Sequence, residues 1–141
     1  KFQLHRPSIR WRLLWPLVKS QARGPLGDAD FPNFVRRCRI VLGLNQGRDA
    51  QGRFASYLKF RDVEFPGYGC CYLTEHNEDV AGAFAVGEEV LTYRNMWEAA
   101  EQIKRLQREP GRAIQIGEAG RRRVLASHTW SVRLGQLAER L

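Results

Sequence analysis

Residues 61–75 read Arg61-Asp-Val-Glu64-Phe-Pro66-Gly-Tyr-Gly69-Cys-Cys-Tyr-Leu-Thr-Glu75. Pro66 beside Gly67 marks the end of a helix, because proline has no N–H to donate and glycine loses the most freedom when ordered. Directly after it, Cys70 to Thr74 form an apolar run of the length of an interior strand. A helix that stops and leads straight into a buried strand is the junction of a parallel β-α unit, and the same alternation continues in both directions.

Downstream, Asn77 caps a helix over Glu78 to Phe84, and Glu89 to Tyr93 reads as a further strand. Asn95, with Glu98 three residues on, forms a capping box ahead of Met96, Ala99, Ala100, Ile103 and Leu106, which recur at helical spacing as far as Pro110. Another helix follows from Arg112 to Ala126, and Thr129 caps the last, through Leu141. Upstream, Arg39 to Asn45 reads as a buried strand, residues 46–53 as a polar loop with two glycines, and Phe54 to Glu64 as a helix. Before these, Asp28 or Asp30 caps a short helix with Pro32 in its first turn and Phe31, Phe34 and Val35 on its apolar face. Strands alternating with helices imply an α/β fold, a Rossmann-like parallel sheet with helices on both faces.

The chain has 141 residues, enough for one domain with a real core. Residues 28–141 form that domain. Residues 1–27, with Pro7, Pro16, Pro25, Gly24 and Gly27, read as a basic, aromatic lead-in. It starts in mid-pattern and without methionine, so the expectation is that the chain is part of a longer protein. No apolar run approaches the roughly 18 residues of a membrane span, and Arg10, Arg12, Pro16 and Lys19 break up the apolar residues of the lead-in. Three cysteines, Cys38, Cys70 and Cys71, do not make a disulfide framework, and they lack paired C-x-x-C spacing. A reducing, cytoplasmic setting is expected, with Cys70 and Cys71 as buried strand residues and no metal site. Asp28-Ala-Asp30 has the D-x-D form of a cation-holding motif, but it precedes a helix start, where two acids act as cap and dipole partner.

The net charge of +8 is unevenly spread. Residues 1–61 hold 13 Lys/Arg against Asp28, Asp30 and Asp49, whereas residues 62–141 are slightly acidic. An anionic partner is expected at the first half. In parallel α/β sheets ligands bind beyond the carboxyl ends of the strands. Here that edge holds Asn45, the loop from Gly47 to Arg53, Thr74-Glu75 and Tyr93-Arg94. The loop is expected to feed a helix N-terminus, which suits a phosphate. Neither the dinucleotide fingerprint nor the P-loop is present.

The stretch from Arg61 to Glu75, then Glu78-Asp79, Phe84, Gly87-Glu88-Glu89, Tyr93-Arg94, Gly120, Arg121, Arg123-Val-Leu, His128-Thr-Trp130 and Arg133, resembles the nucleotide-sugar-binding half of two-domain glycosyltransferases of the GT-B type. Within these it is most similar to the group-1-like, spore-maturation-protein-like branch. The resemblance covers residues 36–135. It implies a nucleoside-diphosphate sugar as donor, with Glu64 holding the two ribose hydroxyls and Gly69 five residues later. A carboxylate suits that task, since its two oxygens accept from two adjacent hydroxyls. Arg61 also matches the branch, and either pairs with Glu64 or reaches a donor phosphate. Where the wider family often has a second glutamate, eight positions before Glu64, this chain has Ser56. Arg53 and Lys59, near the start of the expected helix, are candidates for the diphosphate, which gathers charge as the glycosidic bond breaks. No catalytic residue is assigned. His128 matches the family's terminal signature and is expected to join two helices.

The resemblance implies no cofactor beyond the donor substrate, an unidentified acceptor, and an N-terminal acceptor domain outside these 141 residues, without which the chain transfers sugar poorly or not at all. A competing reading is a basic binding module for nucleic acid or an anionic membrane surface, built on the charge of residues 1–61 and on Trp11, Trp15, Phe31, Phe34 and Phe54. In the leading reading nucleic acid is no partner, and a peripheral contact at the inner face of the membrane stays open.

Overall fold

The computed structural model describes residues 16, 19, 20, 24–44, 47, 48, 51, 54, 55 and 57–140. Its described elements are α1 (Phe31–Arg37), β1 (Ile40–Leu42), β2 (Gly47–Arg48), β3 (Phe54–Ala55), α2 (Phe60–Gly67), β4 (Cys71–Glu75), α3 (Glu78–Ala83), β5 (Leu91–Tyr93), α4 (Met96–Arg108), α5 (Pro110–Ser127) and α6 (Trp130–Ala138). Strands β1, β4 and β5 form a parallel sheet in that order, with Leu42 beside Leu73 and Leu73 beside Leu91. This is the expected Rossmann-like α/β architecture.

The central position of β4 follows from its sequence. Cys71, Tyr72, Leu73 and Thr74 are all buried, as a strand flanked on both sides and covered on both faces requires. Its alternation separates two layers. Tyr72 packs with Val80, Phe84, Val90 and Val124 on one face. On the other, Cys71 packs with Leu106, Ala113 and Ile116, and Leu73 with Tyr93 and Ala99. Helix α5 therefore contributes to both layers, Ile116 from its first half and Val124 from its second. Two glycines bring it close to the sheet. A Cβ on Gly117 would run into the carbonyl oxygen of Gly69, and one on Gly120 would lie 2.5 Å from that of Glu89.

Local caps hold the helices where the sequence places them. Asn77 Oδ1 accepts from Val80 N at 2.8 Å, Asn95 Oδ1 from Glu98 N at 3.0 Å, and Thr129 Oγ1 from Val132 N at 3.3 Å. Among the described residues no helix is long and apolar enough to cross a membrane.

Four expectations need correction. Helix α2 begins at Phe60, not Phe54, and Phe54–Ala55 pairs antiparallel with Gly47–Arg48. The start is fixed by Asp62, whose Oδ2 accepts from Lys59 N at 2.7 Å and closes the first turn there. Strand β1 is only half-buried, with Leu42 39% exposed, because it pairs with β4 alone among the described strands. Phe34 is 51% exposed, since the seven residues of α1 bury only Val35 while Phe31 turns toward Phe65 and Tyr68. Asp30 does occupy the N-cap of α1, but its side chain makes no capping bond. Instead Phe31 N donates to Gly27 O at 3.0 Å.

Candidate functional site

The carboxyl ends of β1, β4 and β5 converge with the first turn of α2. Beyond β1 the buried Gly43 continues the ladder, its N–H donating to Leu73 O at 2.8 Å. Its missing side chain matters, because a Cβ there would fall 2.7 Å from Thr74 Oγ1 and closer still to the Tyr72 hydroxyl. On the far side, Tyr93 Oη donates to Gly43 O at 2.7 Å. Burial, and then the nearby Glu75 carboxylate, push the Tyr93 phenol above its ordinary pKa.

Beneath this edge lies a charged residue with 0% exposure, Asp62. Its Oδ1 accepts from Tyr72 Oη at 2.6 Å, while Oδ2 holds Lys59 N. Burial first, and then this bond to Asp62, raise the Tyr72 pKa, so the phenol stays protonated and donating. Asp62 thereby fills the N-terminus of α2 with the protein's own carboxylate. The expected delivery of the 46–53 loop to a free helix N-terminus does not occur: the segment contributes β2, and α2 starts only at Phe60.

Arg61, the second residue of α2, donates through Nη2 to Leu44 O at 2.8 Å, and the two residues tie the helix to the end of β1. It makes no ion pair with Glu64 among the described residues, and Glu64 stands one turn further along the helix. Glu64 is half-buried and its Oε1 accepts from Tyr68 Oη at 3.3 Å. Burial and the Glu64 carboxylate raise the Tyr68 pKa, and Arg36 lies over the Tyr68 ring at 5.6 Å. Lys59 is the N-cap residue of α2, with Nζ 5.3 Å from the centre of the Tyr57 ring. Gly69 sits at the opposite end of α2, in the turn entering β4, with φ of +85°. Asn45, Arg53 and Ser56 lie outside the described residues. The structure thus brings Arg61 and Lys59 to the carboxyl edge with Glu64 one turn behind, and places Gly69 at the other end of the helix.

Three buried polar atoms around this edge have no hydrogen-bond partner among the described residues: Thr74 Oγ1, Asn77 Nδ2 and Arg61 Nε. Sequence reasoning reached Asn77 as a cap and Thr74 as a strand end, but it missed the pair Asp62 and Tyr72. The available signal was an acid three residues after Lys59, in position to close the first turn of a helix that starts there. Nearby, His76 N extends the sheet by donating to Tyr93 O at 2.8 Å. Its ring lies 3.2 Å from Thr92 Oγ1 and 3.6 Å from the exposed Glu78 carboxylate.

The remaining residues singled out in the sequence serve packing. Cys70 and Cys71 are buried, and burial pushes their thiols up to about 12 and about 11. His128 ends α5 and joins it to α3 and α6. Its Nε2 lies 3.2 Å from Ala83 O, its Nδ1 lies 2.8 Å from Arg133 Nη2, and its ring stacks on Phe84 at 5.1 Å. Among the described residues no three His, Cys, Asp or Glu side chains gather as a metal ligand set.

Compared with curated proteins and with solved structures, the chain matches none. A protein family described as glycosyl transferase-like matches residues 1–139. That match spans nearly the whole chain, so the protein belongs to the glycosyl transferase-like family.

Proposed function

We propose that the chain binds the nucleoside-diphosphate sugar donor of a glycosyl transfer at the carboxyl edge of its sheet. The observation that carries this reading is the set of buried atoms there without a partner among the described residues, Thr74 Oγ1, Asn77 Nδ2 and Arg61 Nε. A buried polar atom without a partner costs about 1–3 kcal/mol, and three at one strand edge suit a polar ligand that supplies what the protein does not. Parallel α/β sheets take ligands at this edge.

In this reading Glu64 accepts the two ribose hydroxyls. Its only described partner is the Tyr68 hydroxyl, which leaves carboxylate lone pairs for a ligand. Arg61, held at the edge by Leu44 O, and Lys59 lie on the side where the diphosphate would develop charge, with Arg53, Ser56 and Asn45 as further candidates. Gly69 contributes by shaping the turn behind the helix. The group-1-like branch and the two-domain GT-B arrangement, with an acceptor held by a separate domain, rest on the sequence resemblance.

The test is a thermal-shift titration of the chain with a panel of nucleoside diphosphates and their sugar conjugates, alongside Glu64→Ala. A ligand at 100 times its Kd raises stability by about 2.7 kcal/mol, well within reach of a melting curve. The expected result is a rise selective for one base and lost in Glu64→Ala. No rise with any nucleotide, or an undiminished rise in the variant, would overturn the assignment. Steeply salt-dependent binding to unrelated oligonucleotides would instead favour the basic-module reading.

A further inference from the structure

A cavity of about 210 Å³ lies on the other face of the sheet, between α4, α5 and the start of β5. Leu91, Leu106 and Ile116 form its apolar walls and pack in the cluster that contains Cys71. Two arginines from different helices stand at its rim. Arg105 Nε lies 3.3 Å from Glu109 Oε1, and Arg112 Nη2 donates to Gly87 O at 2.6 Å. Each guanidinium has five N–H donors, so these bonds leave most of them free for a ligand.

Arg112 stands in the first turn of the 18-residue α5, where a cation opposes the helix dipole. Two cations against the single carboxylate of Glu109 leave this rim positive. Its field reaches past the walls, where the Arg112 charge partly offsets the rise that burial gives the Cys71 thiol. Positive charge at the rim of apolar walls matches one chemistry well. An apolar ligand alone would leave the arginines unused, and a purely polar ion would leave the walls unfilled.

We infer that this cavity binds a small amphipathic carboxylate, its charged end between Arg105 and Arg112 and its hydrocarbon body against Leu91, Leu106 and Ile116. Size narrows the ligand. A cavity of about 150 Å³ lined by aliphatic and aromatic side chains takes up benzene, so this one fits a body of about six to eight carbons. It is too small for a nucleotide, whose sites start near 300 Å³, and it adjoins the first residue of β5, at the end opposite the proposed donor edge.

The experiment titrates the full chain with octanoate and with its neutral counterpart octanamide, following backbone amide resonances and affinity. Octanoate should bind at least ~10-fold tighter than octanamide, with shifts confined to 87–91, 102–106 and 112–116. Among the described residues the Arg105 side chain bonds to the exposed Glu109 alone, so Arg105→Met should remove most of that preference at unchanged melting temperature. Arg112→Met should do the same, and Glu109→Gln should tighten octanoate by freeing Arg105. Equal binding of the two probes, shifts scattered over the surface, or a preference intact in Arg105→Met would overturn the inference. None of these outcomes bears on the nucleotide site.

Discussion

Tyr93 and Gly43 are 50 residues apart, yet the Tyr93 hydroxyl donates to the Gly43 carbonyl across the end of the central strand at 2.7 Å. One bond thus ties the two outer described strands together at the edge where the donor is proposed to bind. Tyr93→Phe leaves a buried carbonyl without its donor and should cost about 1–2 kcal/mol, read as a lower urea midpoint at unchanged slope. If the proposed site is correct, the same variant should also weaken nucleotide binding.

The buried pair below that edge makes a sharper case. Asp62 receives Tyr72 Oη and Lys59 N, so Asp62→Ala takes the acceptor from both donors, whereas Tyr72→Phe takes from Asp62 the phenol alone. The alanine variant should lose about 2–3 kcal/mol and the phenylalanine variant about 1 kcal/mol. In the double variant the two losses should not add, and a double-mutant cycle measures the shortfall. Simple additivity would argue against the pair.

His128 provides a pH dependence whose direction is fixed. Burial first, with Arg133 and Arg123 adding to it, lowers its pKa below the ordinary 6.5. A lowered histidine pKa means that the unfolded chain binds the proton more readily. Its contribution to stability is therefore complete above about 6.5 and is lost as the pH falls through the folded-state value. Stability measured by urea unfolding should fall from pH 7.5 to pH 5.5 more steeply in the wild type than in His128→Gln.

Glycines divide by surroundings. Gly135, exposed in α6, has open space where a methyl group would stand, with no neighbouring atom within 4 Å, so Gly135→Ala should stabilise by about 0.5–1 kcal/mol. Gly117→Ala meets backbone and should destabilise by at least ~2 kcal/mol, since neither α5 nor the entry to β4 can yield cheaply. Thermal melts of the two variants should move in opposite directions.

Much of this fold was legible because its signals are local. A cap such as Asn77, Asn95 or Thr129 bonds to a backbone N–H three residues on, and the apolar run at Cys71–Thr74 carries its own burial. The start of α2 was not legible. Phe54 and Tyr57 lie at helical spacing from Arg61, but the helix is anchored by Asp62, whose second partner, Tyr72, is ten residues away on another element. The candidate site followed the same division. Glu64 and Arg61 were reached through a resemblance and Lys59 through its charge near the expected helix start, while the partner of Arg61, the Leu44 carbonyl, depends on how β1 ends beside α2. That Thr74 Oγ1 and Asn77 Nδ2 lack partners among the described residues is a property of packing that a sequence does not display.

Because α5 places Ile116 in one layer and Val124 in the other, neither side of the sheet can be stripped away without breaking that helix. The domain should behave as a single cooperative foldon, in which the slowest-exchanging amides of β4 and the middle of α5 open together in the global event.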